Sequence, residues 1–166
     1  MDTLAEILNA HGWTTIGFNT NPHLTPDTHF DQGFERYEEF RGWLGHAKAA
    51  RRHPLQGSYP PGPVVATGVE RWLDSGPRSP FFAWVHLYDP HLPYEPPAPY
   101  STEYADDLYL GEVAFADAQL ARIGAALAAT GLSDSTLIVF AGDHGEGLGD
   151  HGELDHGLLL YQTTAR

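Results

Sequence analysis

Residues 138–146 read Ile-Val-Phe-Ala-Gly-Asp-His-Gly-Glu, an apolar run followed at once by two potential metal ligands. Runs rich in β-branched and aromatic residues are typical of central parallel strands, so we predict a strand over residues 136–141. Ligands bind at the carboxyl ends of such strands. There Asp143 offers a carboxylate oxygen and His144 an imidazole nitrogen, which together predict half of a site for Ca²⁺, Mg²⁺, Mn²⁺ or Zn²⁺. The alternative is a polar turn in which Asp143 caps a helix.

Two other apolar runs, residues 14–18 and 81–87, have the same composition. They predict two further buried strands, the second with His86 still inside it. Helical patterns alternate with these runs, which predicts an α/β fold with layers of helices on a mostly parallel sheet. Strand 81–87, the long helix that follows it and strand 136–141 would form a right-handed crossover unit.

Apolar periodicity predicts three helices. A short helix covers residues 4–10 and ends before Gly12, because glycine commonly follows the last turn of a helix. A second covers residues 64–74, and a long third helix covers residues 108–130 and is closed by Gly131. The side chains expected to form the buried stripe of the long helix lie three or four positions apart: Val113, Ala116, Leu120, Ile123 and Leu127.

Two segments lack a regular pattern. Residues 21–39 mix prolines, aromatic residues and acids, and predict a loop with short turns. Residues 52–63 hold four prolines and two glycines, which predicts a surface loop. We therefore predict one domain over the 166 residues, with residues 52–63 as its Pro/Gly-rich loop.

The composition narrows the classes of partner. Nine basic residues against 22 acidic ones give a net charge of −13, so the surface repels phosphates and no nucleic-acid partner is expected. The chain has no cysteine, which excludes disulfides, thiolate metal sites and cysteine nucleophiles. No apolar run approaches the length of a membrane span, and the first residues do not have the pattern of a secretory signal. The compartment, cytoplasmic or periplasmic, stays open.

Two more histidines lie in segments that could bind an anion. His91 stands between two prolines in Asp-Pro-His-Leu-Pro-Tyr, residues 89–94, directly after a predicted strand. Prolines restrict the loop, and an imidazole N–H could bind a tetrahedral anion. His156, in Leu-Asp-His-Gly at residues 154–157, could donate to a substrate oxygen or a leaving group. For His91 the alternative is a surface histidine in a rigid loop.

In combination, these motifs resemble the sulfatase family within the alkaline phosphatase-like superfamily. The likeness rests on residues 89–94, Tyr109-x-Gly111-Glu112, residues 143–146 and the segment around His156, and it extends to residues 3–34. It therefore covers nearly the whole chain. The resemblance implies a three-layer alkaline phosphatase-like fold with a mostly parallel central sheet, which we expect to be incomplete at both ends.

The resemblance also implies a metal-dependent hydrolase of sulfuric esters. Asp143 and His144 would be metal ligands, with Ca²⁺ favoured and Mn²⁺ or Zn²⁺ as alternatives. The catalytic and substrate-binding residues would be His91 and His156, which would contact the sulfate or phosphate group of a small-molecule or glycan ester. Many sulfatases have a lysine at the position assigned to His156.

The nucleophile of the family is a formylglycine formed in a Cys/Ser-x-Pro-x-Arg motif, and this chain has no such motif. Residues 75–78, Ser-Gly-Pro-Arg, have a different spacing. The family's first pair of metal aspartates has no counterpart here either. We therefore expect the chain to be an internal fragment of a longer enzyme and to be inactive by itself.

Two alternatives stay open. A phosphodiesterase, phosphonate hydrolase or phosphotransferase of the same superfamily would use similar ligands, with threonine or serine as the nucleophile. A catalytically incomplete α/β domain that binds a metal or a partner would need no nucleophile at all.

Overall fold

The computed structural model describes residues 2–21, 23–40 and 62–152. The chain forms two compact units, Met1–Asp134 and Ser135–Arg166. The helices and strands are α1 (Leu4–Ala10), β1 (Thr14–Asn19), β2 (Arg36–Glu39), α2 (Gly62–Asp74), β3 (Phe81–Val85), α3 (Tyr100–Glu103) and α4 (Leu108–Ala129). Short 3-10 turns cover Pro26–Thr28, Ser133–Ser135 and Asp150–Gly152. Within the described ranges, no helix combines the length and apolarity that crossing a membrane requires.

The strands of the first unit form a parallel sheet in the order β2-β1-β3. Ile16 in β1 lies opposite Arg36 on one side and opposite Ala83 on the other. Position 17 requires glycine, because a Cβ on Gly17 would lie 2.6 Å from the ring of Tyr37. Parallel neighbours need long crossover connections, and α2 lies in the one between β2 and β3, so the sheet confirms the predicted α/β class.

A capping box starts helix α1. Oγ1 of Thr3 accepts the N–H of Glu6 over 3.1 Å, and the Glu6 carboxylate accepts the N–H of Thr3 over 2.7 Å. The reciprocal bonds stabilise a helix of only seven residues. As predicted, the helix ends just before Gly12, whose φ of 81° lies in the left-handed region that favours glycine.

The core of the first unit lies between one face of the sheet and helices α2 and α4. Ile16 and Phe18 of β1 are buried there against Val65 and other side chains of α2. Because strand side chains alternate, Thr15 points to the opposite face, where Nδ2 of Asn9 in α1 donates to its Oγ1 over 3.2 Å. Helices therefore contact both faces of the sheet, as the layered prediction requires.

The boundaries around β2 and α2 differ from the predicted loops. The prediction of a loop over residues 21–39 is wrong for Arg36–Glu39, which form β2. Three of the four side chains are charged, so the segment has no strand pattern in the sequence. Only its backbone pairing with β1 makes it an edge strand. Helix α2 begins at Gly62, so the last two residues of the predicted loop 52–63 are helical, with proline in the first turn. Residues 52–61 lie outside the described residues.

Residues 136–141, in the second unit, do not form the predicted strand. They have no regular structure, and Leu137 is 87% exposed. An apolar run becomes a strand only when a neighbouring strand supplies hydrogen-bond partners, so the composition of this run does not suffice to make it one. The predicted crossover unit therefore lacks its second strand.

Helix α4 occurs where it was predicted, but its buried face differs. Val113, expected in the apolar stripe, is exposed. The buried positions are Gly111, Glu112, Phe115, Ala116, Gln119 and Leu127. The predicted stripe is wrong at Val113 because α4 packs against α2 and the loop after β3, which accept the polar side chains of Glu112 and Gln119. Gly131, with a φ of 74°, follows the helix as expected.

Candidate functional site

The two predicted metal ligands lie side by side in the second unit. Oδ1 of Asp143 lies 3.8 Å from Nε2 of His144 and accepts the backbone N–H of His144 over 3.1 Å. Both side chains are accessible, with 77% of Asp143 and 41% of His144 exposed. No helix of the described residues begins at Asp143, so its carboxylate caps none there.

The ring of His144 has the orientation that a metal-binding histidine needs. Its Nδ1 lies 2.8 Å from the carbonyl oxygen of Gly145, and only an N–H can bond to that acceptor. Nδ1 therefore carries the proton, and Nε2, the nitrogen near Asp143, holds the lone pair of the neutral ring. Metal–ligand bonds of about 2.0–2.4 Å allow a nitrogen and an oxygen at this separation to share one cation.

The pair does not make a complete coordination shell. In the part of the chain that the structure describes, no three or more histidine, aspartate, glutamate or cysteine side chains are arranged to hold a metal ion. Asp143 and His144 thus supply two of the roughly four to eight donors that Zn²⁺ or Ca²⁺ takes. In chemical type, the carboxylate oxygen suits Ca²⁺ and Mn²⁺, and the imidazole nitrogen suits Zn²⁺.

The chain turns sharply after this pair. Glu146 accepts the N–H of Gly147 through Oε1 over 3.1 Å. Four residues further along have φ in the left-handed region, which glycine adopts most easily: Leu148, Gly149, His151 and Gly152. His151 lies in this glycine-rich turn.

His91 lies in the loop after β3, in the first unit. Its ring stacks on Tyr88 with centroids 4.3 Å apart, and its Nδ1 lies 2.6 Å from the carbonyl oxygen of Leu92. Both contacts restrict the ring. Because Nδ1 donates to a carbonyl, Nε2 can donate to an anion only when the ring is doubly protonated.

A buried acid, Glu112, and a half-buried one, Asp89, tie this loop to the core helices. Glu112 of α4 is 5% exposed, and its Oε2 accepts the N–H of His91 over 2.9 Å while its Oε1 accepts the N–H of Glu95 over 2.7 Å. Oδ2 of Asp89 accepts the N–H of Gly62 at the start of α2 over 3.2 Å. The loop is therefore held by both helices on the core face of the sheet, α2 and α4.

Burial governs the charge of both acids. Burial raises the pKa of Glu112 to about 7, although the N–H groups of Glu95 and His91 lower it, and the negative charges of Asp89 and Glu95 raise it further. Burial also raises the pKa of Asp89, while hydrogen bonding and the charge of His91 lower it. Perturbed acids beside a loop histidine are typical of functional sites.

The other two histidines of the sequence prediction have different outcomes. His86 lies one residue beyond β3, not inside a strand, although its N–H still donates to Phe18 over 2.9 Å. Its Nδ1 lies 3.0 Å from Oγ1 of Thr20, which orients the ring at the carboxyl end of the sheet. His156 falls outside the described residues, so its role stays a prediction.

Sequence reasoning missed the parts played by Glu112 and Asp89. Glu112 belonged to one of the quoted motifs but received no role, because an acid on an amphipathic helix is usually assigned to solvent. The available indication was its position at the start of α4, next to Gly111. Asp89 could not be recognised because its partner, Gly62, was assigned to a loop.

Comparison with known proteins now defines the class. Residues 1–163 match the model of the Sulfatase family. The chain therefore belongs to the sulfatase family, a family of hydrolases. This agrees with the resemblance that the short motifs indicated.

Two similar proteins add detail. Iduronate 2-sulfatase from Homo sapiens is 32% identical over 108 residues, which are 61% of this chain and 19% of that protein. The crystal structure of Ps i-CgsB in complex with k-i-k-neocarrahexaose matches with a TM-score of 0.63 and 18% identity, over 90% of this chain and 41% of that chain. The second match confirms the alkaline phosphatase-like α/β fold in part. The chain spans less than half the length of either protein.

Proposed function

We propose that the protein hydrolyses sulfate esters and that Asp143 and His144 bind the divalent cation used in this reaction. The observation that carries the proposal is the 3.8 Å separation between Oδ1 of Asp143 and Nε2 of His144. The bond from Nδ1 of His144 to Gly145 supports it, because it leaves the lone pair on the nitrogen near the carboxylate. Membership of the sulfatase family supports the reaction class.

Calcium is the favoured cation, with manganese or zinc as alternatives. Calcium and manganese prefer oxygen ligands such as the carboxylate of Asp143. Zinc also takes imidazole nitrogens such as that of His144. Two donors complete the shell of none of these ions, so further ligands are required. A bound cation would neutralise the negative charge of the ester group.

We assign His91 and His156 to the anionic group of the ester. The ring of His91 is already oriented by Tyr88 and by the carbonyl of Leu92. When doubly protonated, it would donate from Nε2 to a sulfate oxygen in a charge-assisted hydrogen bond. His156 would donate to a second oxygen or to the leaving group. No residue of this chain is assigned as the nucleophile.

The similar proteins favour a sugar ester as the substrate. One is named for iduronate, and the other was crystallised with neocarrahexaose. Small-molecule sulfate esters and phosphate esters are the alternatives. Because the chain spans 19% and 41% of these two proteins, the substrate and the activity are proposals for the complete protein.

The proposal is tested by measuring ester hydrolysis with and without divalent cations. The protein that carries this sequence is stripped with EDTA and assayed on an aryl sulfate and the matching aryl phosphate, before and after addition of Ca²⁺, Mn²⁺ or Zn²⁺. We expect sulfate hydrolysis that EDTA abolishes, that one cation restores and that Asp143→Asn lowers by at least roughly tenfold. The control Asp134→Asn removes an exposed acid and should keep full activity.

Two results would contradict the proposal. Hydrolysis of the phosphate in preference to the sulfate would move the protein to the phosphoester hydrolases. Sulfate hydrolysis that survives both EDTA and Asp143→Asn would show that the pair binds no essential cation.

A further inference from the structure

One carboxylate holds both ends of the segment that carries His91. Oε2 of Glu112 accepts the N–H of His91 over 2.9 Å, and Oε1 accepts the N–H of Glu95 over 2.7 Å. A glutamine at this position could accept only one of the two bonds, because its NH₂ group would face the other N–H. The arrangement is therefore specific for a carboxylate.

The preceding residue of α4 lets the same segment pack closely on the helix. A Cβ on Gly111 would lie 2.8 Å from Cγ of Pro96 and 3.2 Å from Cβ of Tyr104. Without a Cβ, the helix backbone at this position accepts the proline ring directly. Gly111 and Glu112 thus form one docking point for residues 91–96.

Fold stability alone does not explain an acid at this docking point. The carboxyl of Glu112 is buried, and Asp89 and Glu95 add negative charge around it, so its charged form is disfavoured. Buried acids with neighbours of like charge occur chiefly where they serve a site. The bonds of Glu112 end on the backbone of the loop that presents His91.

We infer that Glu112 is a positioning residue that fixes His91 for its contact with the anion of the ester. The bond to the N–H of His91 fixes the backbone, and the stack on Tyr88 then fixes the ring. The inference rests on the proposed role of His91 and adds a side chain that does not itself touch the substrate. A displacement of about 1 Å in a reacting group can lower a rate roughly 100-fold, so such a residue has a measurable effect.

Amide hydrogen exchange tests the hold on the loop without any activity assay. In Glu112→Gln, the amide of His91, that of Glu95 or both should exchange at least roughly tenfold faster than in the wild type. The amides of Ile16 and Phe18 in β1 should keep their protection. The matched control, Glu103→Gln, changes an exposed acid on α3 and should leave the loop unchanged. Wild-type exchange at both loop amides in Glu112→Gln would overturn the inference.

A double-mutant cycle separates positioning from a purely structural role. Glu112→Gln should lower kcat/KM for an aryl sulfate by roughly 10- to 100-fold in the wild type. It should have little further effect when His91→Ala is already present, because Glu112 acts through His91. An equal loss in both backgrounds would contradict positioning.

If Glu112→Gln does not fold, an NMR titration of the wild-type protein tests the inference instead. The amide proton resonances of His91 and Glu95 should shift with one shared midpoint near a pH of about 7 as Glu112 titrates. Among the described residues, the titratable groups whose charges act on Glu112 are Asp89 and Glu95, and the charge of His91 acts on Asp89. Separate midpoints for the two amides would overturn the inference. If the wild type hydrolyses no sulfate ester, the proposed function fails, and hydrogen exchange still decides whether Glu112 holds the loop.

Discussion

The backbone N–H of His91 donates to Oε2 of Glu112 over 2.9 Å, although 21 positions separate the two residues in the chain. The bond joins the loop at the carboxyl end of β3 to the first turns of α4. Loops at the carboxyl ends of parallel strands are where α/β proteins bind their ligands. The charge of a single buried acid is therefore coupled to the part of the first unit that we assign to the substrate anion.

The free energy of unfolding should fall as the pH rises from about 4.5 to about 7. Burial raises the pKa of Glu112 from 4.5 to about 7, so the folded state binds this proton more tightly than the unfolded state. The contribution of this proton to the free energy of unfolding is fully present below pH 4.5 and is lost as the pH rises through 7. At about 1.4 kcal/mol per pKa unit, a shift from 4.5 to about 7 contributes at most about 3.5 kcal/mol. Urea denaturation at stepped pH measures it.

The control for this pH dependence compares the stability of two variants, one at Glu112 and one at Glu103. Glu112→Gln should flatten the slope between these pH values, and Glu103→Gln should keep the wild-type slope. Asp89, whose pKa burial also raises, preserves part of the slope in Glu112→Gln. An identical slope in the wild type and Glu112→Gln would show that Glu112 does not carry the effect.

Arg122→Lys should destabilise the first unit by about 1–2 kcal/mol in urea denaturation. The guanidinium of Arg122 forms two bonds to Glu70, at 3.0 Å and 2.8 Å, and reaches Gln119 and Thr67 as well, so it joins α4 to α2. A lysine ammonium cannot reproduce this planar set of bonds. Arg78→Lys is the control, because its contact with Glu35 is single, 3.4 Å long and more exposed, and should change stability by less than about 0.5 kcal/mol. Equal losses of stability in Arg122→Lys and Arg78→Lys would show that the bonds of Arg122 do not stabilise the contact between α4 and α2.

Two alanine substitutions on α4 should have opposite effects. A Cβ at Gly124 meets nothing within 4 Å, so Gly124→Ala should stabilise the helix by roughly 0.5–1 kcal/mol. A Cβ at Gly111 would lie 2.8 Å from Pro96, so Gly111→Ala should lose about 1–3 kcal/mol and also speed amide exchange at Glu95. Thermal unfolding and hydrogen exchange measure the two effects. A gain in stability for Gly111→Ala would mean that Pro96 does not pack on this turn.

The fold could be predicted wherever local sequence carries the information. The capped helix α1, the strands β1 and β3 and the helices α2 and α4 all occur within two residues of their predicted limits. Strand β2 could not be predicted, because only its pairing with β1 makes the charged segment Arg36–Glu39 a strand. The run at residues 136–141 was predicted wrongly for the converse reason: its apolar side chains suit a strand, but strand formation also needs backbone pairing, which the local sequence does not encode.

In the candidate site, too, local sequence predicts one part, and tertiary contacts decide the other. Asp143 and His144 could be predicted as a pair because they are adjacent in sequence, whereas the 3.8 Å between their donor atoms comes from the backbone conformation. The anchoring of His91 by Glu112 depends on the tertiary contact between a loop and a helix, which no local pattern encodes. The opposing faces of α4 could not be assigned either, since its buried face includes Glu112 and Gln119.

Calorimetric titration of EDTA-stripped protein with Ca²⁺, Mn²⁺ and Zn²⁺ tests the central claim, that Asp143 and His144 hold a divalent cation. We predict saturable binding of at least one of these ions. Its affinity should fall by at least roughly tenfold in Asp143→Asn and in His144→Ala, and should be unchanged in Asp134→Asn. If the wild type binds none of the three ions, or if Asp143→Asn binds them as tightly as the wild type, the account is contradicted.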